Sequence, residues 1–394
     1  MKLFPKIIRI VALLLVGAAG TVSQGADAPS GVRKVKDVVI YEDDRFHAAF
    51  PSVVKRPDGE IWVAFRRAPN RLWWGEAHNK HVDPNSYLMM VRSSDGETFS
   101  TEPELIYADA WGGSQDPCLL QLRDGTLLCM SYGWTFVRPE GIKNLKPPVR
   151  DVGSGAIFNG GYYLRSEDGG ESWQGPMRPP HIEPELLRDP FGEPMPAYNR
   201  GAAVEGKDGR LFWVAAATDR ISPHRTSNHL MISEDKGMTW EYSTPVAVDK
   251  DVTFNEASIY ETPQGDLVAF LRTANFEDEA CIARSTDGGK SFEPWQGMGW
   301  QGHPLHATRL TDDRVLLVYG YRHEPRGIRA RVLNAECTDF ATAPEIVLRD
   351  DGVNNDLGYP WSVVLDDKRV LVTYYMNVAG DTVPHIAGTI LALD

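Results

Sequence analysis

Phe50 to Arg67 read FPSVVKRPDGEIWVAFRR, two apolar runs that meet at Pro57-Asp58-Gly59. An Asp-Gly turn between alternating apolar runs is a strong local signal for a β-hairpin, because these residues accept the backbone angles the reversal needs. The layout recurs as DPCLLQLRDGTLLCMSYG from Asp116, RGAAVEGKDGRLFWVAAA from Arg200, EASIYETPQGDLVAFLRT from Glu256, HPLHATRLTDDRVLLVYGYR from His303 and YPWSVVLDDKRVLVTYYM from Tyr359. A second, shorter repeat follows four of these units: SSDGETF at Ser93, SEDGGESW at Ser166, SEDKGMTW at Ser233 and STDGGKSF at Ser285. In each, Asp and Gly reverse the chain between outer strands and the closing Trp or Phe turns inward. One well-placed carboxylate per turn suits a structural role better than metal binding.

Four strands per unit, repeated six times with few helical patterns, predict an all-β fold, a six-bladed β-propeller with four-stranded antiparallel blades. The fifth unit, RVLNAECTDF, lacks the turn motif, and the sixth ends at HIAGTILALD. The early segment VRKVKDVVIYED is therefore expected to pair into the last blade and close the ring. Gly133 to Gly161 and Pro176 to Pro196 read as loop insertions. Residues 27–394 are expected to form this single domain. Residues 1–26 carry Lys2, Lys6 and Arg9 ahead of an apolar run from Ile10 to Ala19 and then small residues, the order of a secretory signal. The run is well short of the ~20 apolar residues of a membrane span, so the expected location is secreted or periplasmic, with no span left after cleavage.

The net charge of −13, which becomes more negative without those three basic residues, argues against nucleic acid as a partner. Four cysteines in a chain this long are no disulfide framework. Cys118 and Cys129 fall on the two arms of one hairpin, expected on the same face but one pair out of register. No Cys/His spacing suggests zinc, and no metal or organic cofactor is expected.

The innermost strands of a propeller all begin at one face of the axis, and their hairpin partners return to it. Aligned on their turns, the six hairpins open with Phe50, Asp116, Arg200, Glu256, His303 or Pro304, and Tyr359. The return strands end in Arg66 and Arg67, Gly133, Thr218 to Arg220, Arg272, Arg322 and Tyr375. Arg272 falls beside Glu256, and Arg322 opposite His303. Such a rim could be solvated ion pairs of little consequence. Arg67, Arg200, Arg272 and Arg322 gathered on an acidic protein fit an anion pocket better, since a guanidinium fork matches a carboxylate.

The four Asp-box turns, the stretch NEASIYETPQGDLVAFLRTANFEDEACIARSTDGGKSF from Asn255 and GYPWSVVLDDKRVLVTYY from Gly358 resemble the bacterial exo-sialidase superfamily, the BNR or Asp-box repeat proteins. The resemblance runs from about Tyr41 to the C-terminus and implies a six-bladed propeller. It also implies a site in which a tyrosine nucleophile is paired with a glutamate, three arginines hold the substrate carboxylate, and an aspartate serves as acid/base. Carried over by position, Tyr359 matches the nucleophile, Glu256 its partner, Arg272 the fourth-blade arginine, Arg322 or Arg326 the fifth-blade arginine and Asp83 the acid/base. Asp116 and His303 join the substrate-binding candidates at the rim. The first-blade motif, an aromatic followed by Arg-Ile-Pro, is broken: HAAFPS places Ala49 where the arginine is expected, and Arg45, Arg66, Arg67 or Arg200 could substitute. The implied activity is hydrolysis of a terminal acidic, sialic acid-like sugar from a glycan with retention. The alternatives are a glycosidase or lyase for another acidic sugar such as a uronate, with His303, His306 or His47 as acid/base, and a glycan-binding propeller without catalysis. Trp73, Trp74, Trp111 and Trp134 fall in loops near the same face and could stack on a sugar ring.

Overall fold

Strict alternation with turn residues between apolar runs builds strands that pair with their sequence neighbours, and six such sheets stand in a ring in the computed structural model, which describes residues 31–77, 81–153 and 155–394. The proposed signal segment lies outside the described residues. Blade one comprises Phe46–Lys55, Ile61–Pro69, Tyr87–Ser93 and Glu104–Tyr107 in hydrogen-bonded order. Blades three, four and five follow the same order, from Val204–Glu205 to Glu345–Arg349. In blade six, Gly358–Asp366, Arg369–Met376 and His385–Leu393 are completed by Val32–Tyr41, which pairs antiparallel with His385–Leu393. The closing strand expected from VRKVKDVVIYED is thus in place, and its pairing with the last strand ties the two ends of the propeller into one blade.

Blade two departs from the plan. Two short segments, Gly112–Ser114 and Cys118–Gln121, share the partner strand Leu127–Phe136. The insertion expected over Gly133 to Gly161 is shorter, because strands Leu127–Phe136 and Ala156–Ser166 run into it from both sides. Cys118 pairs with Met130 and Leu119 with Cys129, so the two thiols lie on opposite faces, not on one as their spacing suggested. All four cysteines are free and buried.

The four repeated turns explain their own sequence. Ser93 Oγ bonds Asp95 Oδ1 at 2.9 Å, and that oxygen accepts the backbone N–H groups of Glu97 and Thr98 at 2.8 Å each. Ser166–Asp168, Ser233–Asp235 and Ser285–Asp287 repeat the bond at 2.8, 2.9 and 2.8 Å. The backbone donors hold Asp95 at about 2, below the usual carboxylate range. Blade five substitutes Asn334, whose Oδ1 accepts from Glu336 and Thr338 N–H.

The last glycine of each turn packs on a neighbouring blade. Gly170 has φ +86°, and a Cβ there would lie 2.4 Å from Trp62 Cη2, whereas Gly59, φ +92°, has open space. Gly59→Ala should therefore cost only the left-handed backbone penalty, ~1–2 kcal/mol. Gly170→Ala should cost ~3 kcal/mol or more because the clash adds to it. Denaturant unfolding of the two variants side by side checks the difference.

Candidate active site

Three of the inner strands carry a β-bulge at the same level. Register slips between Ala49 and Ser52 in blade one, Phe254 and Ala257 in blade four, and Gly358 and Trp361 in blade six. Phe50, Glu256 and Tyr359 occupy these bulges, and Phe50 and Tyr359 take left-handed φ values of 59° and 52°. Neither is a comfortable residue for that region, and such local strain re-aims side chains that a regular strand would send elsewhere. The rings of Phe50 and Tyr359 meet edge to face at 4.9 Å, and Tyr375 packs 5.1 Å from Phe50.

Across the axis, Tyr359 donates its phenolic hydrogen to Glu256 Oε1 at 2.6 Å. Arg272 Nη1 donates to Tyr359 Oη at 2.9 Å and pairs with Glu256 Oε2. Burial alone would raise Glu256, but the Arg272 charge and the Tyr359 hydrogen bond hold it below its ordinary value, so it is ionised at neutral pH. Burial, with the Glu256 charge adding, pushes the Tyr359 phenol well above its usual range despite Arg272. A neutral phenol thus hydrogen-bonds a buried carboxylate that could accept its proton.

This trio lies at the wall of a cavity of about 1110 Å³. Arg71, Arg150, Arg200, Arg272 and Arg322 line it, set against Glu76, Asp83, Glu256 and Asp356. Arg322 Nε and Nη2 bond Leu357 O, at 3.2 and 3.0 Å, two residues from Tyr359. Arg200 acts as a tie: its Nη2 reaches Pro51 O at 3.1 Å and Tyr359 O at 3.2 Å, and its guanidinium lies 4.7 Å from the Tyr359 ring. Of the four tryptophans expected near this mouth, Trp134 lines the cavity, while Trp73, Trp74 and Trp111 are exposed.

The other candidates stand elsewhere. Adjacent residues of a strand point to opposite faces, so Arg66 turns inward opposite Ala49 and Arg67 outward, donating to Tyr41 Oη at 3.3 Å and stacking on Phe46. Arg66 is fully buried, its guanidinium has no hydrogen-bond partner, and it is not among the residues that line the cavity. Arg326 pairs with Glu324 and holds Asn355 Oδ1 at 2.7 Å, one shell back from the cavity. His303 is buried against Asp278 at 3.4 Å, and His306 stacks on Trp361 at 4.4 Å; neither lines the cavity. Asp116 is fully buried behind the wall, its Oδ2 accepting from Tyr132 Oη at 3.3 Å.

Asp83 reaches the wall but is locked. Arg71 Nε and Nη2 bond its two oxygens at 2.7 Å each, and Asn85 N–H adds a third bond at 2.8 Å. Burial would raise it, but the Arg71 hydrogen bonds and the Asn85 N–H win and keep it low. Both oxygens accept hydrogen bonds, so Asp83 stands at the cavity wall as an ion pair with Arg71.

Several cavity residues escaped the hairpin alignment. Asn199 and Asn255 precede Arg200 and Glu256, and each side-chain oxygen accepts the next residue's N–H at 2.8 Å. Asn-Arg and Asn-Glu at equivalent strand entries were a readable signal one position earlier. Asp356 accepts from Tyr375 Oη at 3.0 Å and faces His47 Nε2 at 2.9 Å. Among the described residues, one Asp/Glu/His group is compact enough to hold a metal ion, Glu42, Asp381 and His385, at the seam of closing strand and blade six, outside the cavity.

Comparison with known proteins adds a family. A profile described as a BNR repeat-like domain matches residues 152–372. A crystal structure of a protein of unknown function from Dyadobacter fermentans DSM 18053 is 67% identical, covers 92% of this chain and 100% of that one, and superposes with a TM-score of 0.91. The Hadza microbial sialidase Hz136 (16% identity, TM-score 0.61, 87% of this chain, 65% of that one) has a similar fold. So does the NanB sialidase of Streptococcus pneumoniae (16%, 0.60, 92% and 70%). Among curated proteins, none matches the chain. At such identities the likeness to sialidases is one of fold.

Proposed function

The chain belongs to the BNR repeat-like domain family, and from that premise we propose that it is an exo-acting glycoside hydrolase that removes a terminal acidic sugar with retention, using Tyr359 as nucleophile. The observation that carries this reading is the hydrogen bond from Tyr359 to Glu256, 2.6 Å, with Arg272 touching both at the cavity wall. A carboxylate on the reacting carbon repels the carboxylate nucleophile used by most glycosidases, and a neutral phenol avoids that repulsion. As Tyr359 attacks, Glu256 takes its proton, and Arg272 steadies both the carboxylate and the oxygen that forms the new bond. Arg322, with Arg272, gives the sugar carboxylate its cationic surroundings. Asp83 holds the wall through Arg71. The basic and apolar order of residues 1–26 supports action outside the cytoplasm, on glycans or glycoconjugates.

A uronate is the second reading, favoured by Ala49, which is fully buried opposite Arg66 and leaves the clamp without an arm from that strand. The test is hydrolysis of matched aryl glycosides of sialic acid, a uronic acid and neutral hexoses, with the first-formed anomer read by proton NMR. Turnover of a carboxylate-bearing sugar with retention is expected. Preference for neutral sugars, inversion, or binding without turnover would overturn the reading.

A further inference from the structure

A retaining glycosidase must also deliver a proton to the departing oxygen and later take one from water. Resting on the reading above, we propose that Tyr132 is the group that touches the departing oxygen and that Asp116, behind it, holds the proton Tyr132 passes on.

The geometry singles out this pair. Tyr132 lies on the cavity wall, on the second strand of blade two, near enough for its phenol to feel both Glu256 and Tyr359. Its hydroxyl meets Asp116 Oδ2 at 3.3 Å, while Asp116 Oδ1 is buried without a partner. The charged and titratable groups around Asp116 come from several blades: Arg66 from blade one, Tyr132 and the Cys118 thiol from blade two, Arg200 ahead of blade three, Glu256 from blade four and Tyr359 from blade six. Burial, with Glu256 adding, overcomes both arginines and lifts Asp116 to about 7, the range a proton donor needs near neutral pH. The rivals fit less well. Asp83 gives both oxygens to Arg71, and Glu76 is exposed, 3.7 Å from the same guanidinium.

The step balances. Protonated Asp116 gives its hydrogen to Tyr132 Oη while Tyr132 gives its own to the glycosidic oxygen. The bond from that oxygen to the anomeric carbon breaks with its electron pair on the departing oxygen. Tyr359 Oη bonds to the carbon and its proton goes to Glu256. In the second half, water bonds to the carbon, loses a proton to Tyr132 Oη, and Tyr132 returns one to the Asp116 carboxylate. Tyr359 leaves with the proton from Glu256.

The test compares a 4-nitrophenyl glycoside, whose leaving group needs little protonation, with the methyl glycoside of the same acidic sugar. Tyr132→Phe and Asp116→Asn should lose at least ~100-fold in kcat/KM on the methyl glycoside and under ~10-fold on the nitrophenyl one. Wild-type kcat/KM on the methyl glycoside should fall above about pH 7, where Asp116 loses its proton, and that limb should vanish in Asp116→Asn. Equal losses on both substrates, or the same selectivity in His81→Asn or Glu76→Gln instead, would overturn the assignment. Carboxyl titration by difference infrared spectroscopy reads Asp116 without any substrate. A band that titrates near pH 7 and disappears in Asp116→Asn is expected, and an Asp116 ionised from pH 5 upward sinks the proposal even if Tyr359 proves to be the nucleophile.

Discussion

Tyr359→Phe should lower kcat/KM by ~10⁴-fold or more while the protein stays folded. The substitution removes one oxygen. The ring keeps its contacts with Phe50, Tyr375 and Arg200, and its left-handed backbone is the same for either aromatic. Glu256 loses the 2.6 Å hydrogen bond but keeps Arg272, so stability should change by only ~1 kcal/mol. A loss of rate without a loss of Tm separates a nucleophile from a packing residue. Trapping adds a direct readout: a fluorinated acidic glycosyl fluoride that slows the second half-reaction should leave a sugar on the tryptic peptide containing Tyr359 of the wild type. Full activity in the variant, or label on another residue, would remove Tyr359 from the mechanism.

That phenol was legible in the sequence because its position follows from counting. The hairpins share a turn, strands have a period of two, and residues equally distant from the turn reach the same level of the axis. Counting also placed Arg272 beside Glu256 and VRKVKDVVIYED in the last blade. It failed where the chain leaves the regular strand. Arg66 and Arg67 are neighbours in sequence, but only the pleat decides which one points inward, and the bulge at Phe50 disturbs that parity. Asp83 matches the acid/base by its position in the first-blade loop, and no pattern in HVDPNS announces the bidentate guanidinium of Arg71, which lies on a separate turn. Tyr132 stands one residue before Gly133, the expected end of the blade-two return strand, and that strand continues to Phe136. Backbone regularity is written in alternation, and pairing between loops is not.

Arg272→Met should be the most damaging change at the site, and its cost should grow with pH. In the wild type the folded-state pKa of Glu256 is depressed by Arg272. Its contribution to stability is therefore fully present above the unfolded value of 4.5 and is lost as pH falls through the folded value. Methionine keeps the bulk of the side chain and removes the charge. Burial, already the largest influence on Glu256, then acts unopposed by its closest cation and should raise the folded pKa above 4.5. The sign of the linkage reverses. The carboxyl is tolerated while protonated below about 4.5, and stability falls as pH rises towards the new folded value. Leaving a buried carboxylate without its partner typically costs ~3–5 kcal/mol, so the gap in Tm between wild type and variant should be small at pH 4.5 and large at pH 7.5. Pairing Arg272→Met with Glu256→Gln removes the stranded charge and should restore most of the lost stability at pH 7.5, without restoring activity. A gap that stays constant across pH, or that the second substitution fails to close, would mean that Arg272 supports the blade by packing and not by holding Glu256 ionised.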